Sequence, residues 1–240
     1  MTAHAGRAPA EGWLSRQIVA RTQNFPRIVA RIRNEPALID ALIEGLASKT
    51  SRVKFDSAKA LWLLAEAAPE LLYPRFDFFL ALLDNDNSIV RWNAARVLAC
   101  LAAVDADGKL EAALDKYLSP IPGPEMISAA NAIQWASRIA IAMPRLADRI
   151  ARAILGVRSA NYKTAECRNV AIGRAIVSLD RFFHLIEDKG AVIAFVSEEA
   201  DNSRPGTRRK AALFAKKRKT EDRVATLGGT KKAGALGEKG

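Results

Sequence analysis

The residue types that carry chemistry are few in this chain of 240 residues, and they do not gather. Of the two histidines, His4 lies near the N-terminus and His184 sits in an apolar helical stretch beside Phe182 and Phe183. A single imidazole on an apolar helix reads as a packing residue, and no His-Glu-x-x-His pair is present to hold zinc. Cys100 and Cys167 are far apart, each in an apolar helical context, which is neither a metal-ligand spacing nor a disulfide framework. Both read as buried thiols of a reducing compartment. No Gly-x-Ser-x-Gly elbow, phosphate loop or dinucleotide fingerprint occurs. Gly228-Gly229-Thr230-Lys231-Lys232 combines glycine with lysine, but it follows no strand and opens no apolar helix, so it is no phosphate cradle. Asp84-x-Asp86-x-Ser88 starts like a calcium loop. Ile89 then stands where the sharp turn needs glycine, and Ala95 where a bidentate glutamate should close the site. The expectation is a protein with no catalytic set, no metal and no cofactor.

Two basic features remain as candidate binding residues. Arg145, Arg149 and Arg152 recur at steps of 4 and 3 and share one helix face, with Arg158 just beyond and Asp148 partly neutralising them. Arg208-Arg209-Lys210 and Lys216-Lys217-Arg218-Lys219 are clusters that attract polyanions without sequence preference, and they also read as a nuclear-import signal in a nucleated source. The net charge is +11, and the segment from Arg204 to Gly240, with 12 Lys+Arg against 3 Asp+Glu, carries +9 of it. The basic character therefore belongs to the tail.

The elements that would position these residues are helices. Half the residues are apolar, and Ala, Leu and Ile with Lys, Arg and Glu dominate over β-branched runs. One stretch organises the rest: the polar turn Asp84-Asn85-Asp86-Asn87-Ser88 runs straight into an amphipathic helix, with Asn and Ser available to cap it. Val90, Ala94, Leu98 and Leu101 form one helical stripe, and Val53, Ser57, Leu61 and Leu64 repeat it 37 positions upstream. The tetrad Ala95-Arg96-Val97-Leu98 recurs as Ala58-Lys59-Ala60-Leu61, Ala130-Asn131-Ala132-Ile133 and Gly173-Arg174-Ala175-Ile176, with Glu125 and Arg168 breaking the stripe in the last two copies. Self-similarity at this period is the mark of a helical solenoid.

The run Val90-Arg91-x-x-Ala94-Ala95-x-x-Leu98, preceded by Asp86, resembles the first helix of a HEAT repeat, and Val53-Lys54-x-x-Ser57-Ala58-x-x-Leu61 is similar. The resemblance covers roughly residues 36 to 187 and implies an all-α, right-handed α-solenoid of antiparallel helix pairs, HEAT-like or armadillo-like, with a disordered basic C-terminal tail. It implies that Asp86 and Arg91 tie neighbouring repeats together. It also implies that second helices line the concave surface, which would place Arg145, Arg149 and Arg152 in the groove. HEAT-like folds include DNA glycosylases for alkylated bases, but no residue pattern here matches such a site.

Taken in order, residues 1 to 10 read as a disordered lead-in, 11 to 203 as the repeat domain and 204 to 240 as the basic tail. Helices are expected over Glu11–Thr22, Pro26–Arg33 and Pro36–Ala47, the last two forming a degenerate repeat or cap. The pairs that follow are Ser51–Ala67 with Tyr73–Leu83, Asn87–Ala103 with Asp105–Leu118, Glu125–Met143 with Pro144–Leu155, and Asn161–Ser178 with Asp180–Glu187. Ser119 to Pro124 is a rigid loop and Gly156 a helix stop. Ala191–Val196 reads as a short helix packed on the last repeat, or a strand. Thr207–Lys219 is expected to form an amphipathic helix with Ala211, Leu213 and Phe214 on one side, giving way to disorder near Thr220. The aromatic residues Phe76, Phe78, Phe79, Trp62, Trp92 and Trp135 are expected in the core. No secretory signal or membrane span is evident, so the expected location is cytoplasmic. The expected function is a non-enzymatic scaffold that binds an extended protein partner in the solenoid groove. The alternative is nucleic-acid binding through the basic tail and the arginine stripe.

Overall fold

The computed structural model describes the backbone of residues 25 to 234 and the side chains of 26 to 221. The lead-in and the helix expected over Glu11–Thr22 lie outside the described residues. Among those described there is no strand, and twelve α-helices follow one another, joined by single 3-10 turns and short loops. They are α1 (Phe25–Asn34), α2 (Leu38–Leu46), α3 (Ser51–Ala67), α4 (Phe76–Ala81), α5 (Ser88–Leu101), α6 (Lys109–Ala112), α7 (Leu114–Leu118), α8 (Met126–Ala142), α9 (Ala147–Leu155), α10 (Ala165–Phe182), α11 (Lys189–Glu198) and α12 (Pro205–Gly234).

Five of these helices are long and begin at Ser51, Ser88, Met126, Ala165 and Pro205, at intervals of 37, 38, 39 and 40 residues. Each of the first four is followed by a shorter partner. The stripe read from the sequence is the buried one: Ser57, Leu61, Leu64, Val90, Ala94, Leu98, Leu101, Ala129, Ile133, Ala136, Ile172, Ile176 and Leu179 are all buried, while Glu125 is exposed and Arg168 half-buried. The intervals of 35 and 43 read from the tetrads differ from the observed spacing by three or four residues. That is about one helical turn, so the slip leaves the same face inward.

A recurrent turn starts three of the long helices. The Asn87 N–H donates to Asn85 Oδ1 (2.9 Å), Thr50 N–H to Ser48 Oγ (3.1 Å) and Arg204 N–H to Asn202 Oδ1 (2.9 Å). Before α5, Asn87 then caps the helix by accepting from Ile89 N–H and Val90 N–H. Arg91 closes that turn by donating to the Asn85 and Asp86 carbonyls (2.7 and 3.1 Å). Arg208 does the same to the Asn202 and Ser203 carbonyls at the same two distances. The start of α12 is therefore a fifth copy of the repeat, with Thr207, Ala211 and Phe214 as its buried stripe. Two expectations change here. Leu213 is 58% exposed rather than packed beside Phe214, and α12 continues past Lys219 to Gly234.

The described residues divide into two compact units, the first comprising residues 25–120 and 138–146, the second 121–137 and 147–234. In the first, α3 packs between α2 and α5, and α4 covers α5. Its core is built from Leu42, Leu61, Leu64, Phe76, Phe79, Leu98 and Tyr117, each under 2% exposed. The helix expected over Asp105–Leu118 begins only at Lys109, because Asp105 caps Lys109 N–H and Leu110 N–H and Gly108 takes a left-handed conformation (φ 69°), and it is interrupted at Ala113. Asp105 also accepts from Tyr73 Oη (2.8 Å). Burial, and after it this bond, pushes the phenol up to about 12.

In the second unit α10 packs on α12, and α11 packs on both α9 and α12. The second helix expected over Asp180–Glu187 is not formed. α10 runs through to Phe182, a 3-10 turn covers Phe183–Leu185, and the partner helix is α11, which settles the helix-or-strand alternative for Ala191–Val196. His184 is exposed on that turn, not packed. The Ser119–Pro124 loop is held by Asn161 N–H donating to the Pro122 carbonyl (2.8 Å) and by Tyr162 Oη donating to the Ile121 carbonyl.

Candidate partner-binding surfaces

The outward face of the long helices in the first unit gathers aromatic and charged side chains. Trp62 on α3 and Trp92 on α5 are half-exposed, as is Trp135 on α8 in the second unit; the expectation that they lie in the core does not hold. The reason is positional, since each falls opposite its helix's buried Ala/Leu stripe. The Arg96 guanidinium lies 3.0 Å from the centre of the Trp62 ring and bonds Glu66 at 3.3 Å. Arg138, from the end of α8, reaches the same Glu66 oxygen at 3.4 Å. One carboxylate on α3 thus joins arginines from two later helices. Arg96 is partly buried, which pulls its pKa below the ordinary value, with Glu66 opposing the shift. Beneath it Cys100 is buried, and burial pushes the thiol up to about 11, so it stays protonated and unreactive. Trp92 stands one turn from Arg96 on the same side of α5. Neighbouring Asn93 donates to the Ile89 carbonyl (2.8 Å).

The short-helix edge of the first unit is ionically paired. Arg75 meets Asp40 (3.0 Å), Lys109 meets Asp77 (3.0 Å), Lys116 meets Asp84 (2.6 Å) and Arg145 meets Glu111 (2.7 Å). Each pair joins positions 32 to 35 residues apart, so these are ties between successive copies. Arg145 makes two bonds to Glu111, through Nε and Nη2. Of the arginine stripe read from the sequence, Arg145 is therefore engaged and belongs to the first unit, while Arg149 and Arg152 belong to α9 of the second, Arg152 exposed and Arg149 half-buried. Asp148 Oδ1 accepts from Glu187 N–H (3.0 Å). Arg158 pairs with Glu198 (2.8 Å) over the Phe195 ring.

The basic clusters of α12 are divided in the same way. Arg208 closes its turn, Lys217 bonds Asp180 (3.0 Å), and Arg218 bonds both Asp180 and Glu221 while stacking on Phe183 and Phe214. Lys210 is half-buried, its pKa lowered by burial and by Arg174 and Arg204. Arg209, Lys216 and Lys219 are exposed. No sequence signal marks Lys217 and Arg218 as engaged with Asp180, because that carboxylate lies 37 and 38 residues away in the chain. Among the described residues no cluster of three or more His, Cys, Asp or Glu is placed to hold a metal, and no helix is long and apolar enough to cross a membrane.

No family model matches the chain, and no curated protein matches it. Among solved structures it is similar to a designed armadillo repeat protein, YIII(Dq)4CqI, at a TM-score of 0.53 and 14% identity, over 89% of this chain and 94% of that one. At that identity the likeness speaks for the backbone alone. The chain is an all-α solenoid of the armadillo/HEAT-like repeat fold.

Proposed function

We propose that this protein is a non-enzymatic interaction scaffold, and that the long-helix face of its first unit is where a protein partner binds. The observation that carries this reading is the cluster of Trp62, Arg96 and Arg138 around Glu66, with Trp92 half-exposed one turn from Arg96 on the same helix. Tryptophan and arginine are the residues that most often dominate interface energy, and here they are presented half-exposed from rigid helices. The fold supports it, since repeat stacks present long surfaces whose composition varies without disturbing the core. The proposed site lies on the long helices rather than on the short-helix edge, where Arg145 is already paired.

Affinity capture with the full chain tests the proposal. Trp62→Ala and Arg138→Glu each reduce capture of the specific partner about tenfold or more while circular dichroism stays unchanged. A partner captured equally by wild type and both variants would place binding elsewhere. Polyanion binding through α12 is the second reading. It is narrowed by the engagement of Arg208, Lys217 and Arg218, and rests on Arg209, Lys216 and Lys219, exposed cations outside those contacts.

A further inference from the structure

The second unit carries an open groove that the repeat geometry itself explains. In the fourth copy, the short helix α11 packs on the preceding short helix α9 and on the following long helix α12. A fifth short helix would, by the same arrangement, lie against α11, beside the α12 that precedes it in the chain. No described residue occupies that position, because α12 continues as one helix to Gly234 instead of turning back. A groove of about 470 Å³ is found there, walled by α11 and α12.

Both walls present side chains at helical spacing. From α11 and the turn after it come Ile193, Ser197 and Ala200, all exposed; from α12 come Ala212 and Ala215, also exposed, above buried Phe214. Alanine on one wall leaves room for larger side chains to enter, and Ile193, 46% exposed, supplies an apolar contact on the other. The charged residues at the groove are Arg208, Arg218 and Lys219, and no carboxylate lines it. The stretch from Arg208 to Lys219 is about 16 Å long at the rise of an α-helix, enough to seat roughly three turns of a partner.

We infer that this groove receives an amphipathic helix with acidic flanks from another protein, which completes the fifth helical pair. The apolar floor takes the partner's i, i+4, i+7 side chains, and its carboxylates face Lys219, the groove cation that is exposed and outside the contacts that hold Arg208 and Arg218. The charge argues against a second copy of this chain as occupant, since its net charge is +11 and its C-terminal segment carries most of it. The inference uses residues of the second unit only and stands apart from the long-helix face proposed for the first.

The test uses the full chain and a fluorescent peptide of about four turns with leucines at i, i+4, i+7 and i+11 and glutamates beside them, read by anisotropy. Saturable binding is expected, with a peptide carrying lysine for glutamate at least about tenfold weaker. Ile193→Asp and Lys219→Glu each weaken the acidic peptide about tenfold. Leu213→Asp, which alters an equally exposed apolar residue of α12 outside the groove, leaves binding unchanged. Three results would overturn the inference: no saturable binding to folded protein, equal loss in the Leu213 and Ile193 variants, or sedimentation showing a dimer that Ile193→Asp dissolves.

Discussion

Ser57 marks the point where the repeat pattern and its chemistry disagree. It stands on the buried stripe at the position filled by Ala94 and Ala129 in later copies, it is fully buried, and its hydroxyl has no hydrogen-bond partner. A buried hydroxyl without a partner costs about 1–3 kcal/mol. Ser57→Ala is therefore expected to stabilise the protein by about 1 kcal/mol, raising the urea midpoint without changing the slope. The tyrosines give a second check. Tyr73 and Tyr162 are held up to about 12, and Tyr117, buried and donating to the Ala95 carbonyl (3.1 Å), is raised further still. In the unfolded chain these phenols ionise near pH 10. Their contribution is thus complete below about pH 10 and is lost as pH rises toward 12, because the unfolded state releases protons first. Thermal scans above pH 10 should show a falling Tm, with tyrosinate absorbance appearing together with unfolding. Absorbance that rises before unfolding would contradict the buried placement of Tyr117.

At the scale of elements, the link between α10 and α12 depends on Gly173. A Cβ there would come within 2.8 Å of Thr207 Oγ1, which is buried and donates to the Asn169 carbonyl (2.8 Å). Gly173→Val is expected to push α12 off α10 and cost about 1–3 kcal/mol, with faster hydrogen exchange confined to residues near 205–218. Much of the long-helix pattern was legible in the sequence. Ser51–Ala67 matches the observed α3 end for end, and nearly every stripe residue is buried, because an Ala/Leu stripe at helical spacing has only one way to hide from water. The short helices were less so. The Asp105–Leu118 segment becomes helical only from Lys109, where Asp105 caps backbone N–H groups four and five residues on, a local contest between side chain and helix that periodicity does not register. α12 was hidden as a repeat because Thr207 replaces the valine of its template and lysines crowd the stripe.

At the scale of the whole chain, the fold is a repeat stack in which copies are tied by long-range ion pairs at steps close to one repeat. Arg91, which the HEAT resemblance assigns with Asp86 to ties between repeats, closes the turn before its own helix through bonds to the Asn85 and Asp86 carbonyls. The surface site was only half legible. Arginines and tryptophans could be counted from the sequence, but which ones face outward depended on carboxylates far along the chain, as Glu66 does for Arg138. The most direct measurement of the central claim is quantitative capture of partners on wild-type protein and on the Trp62→Ala, Trp92→Ala double variant, both verified as folded. The scaffold account predicts a partner retained by the first and lost from the second, with melting temperatures within a few degrees. Equal retention by both proteins would contradict it.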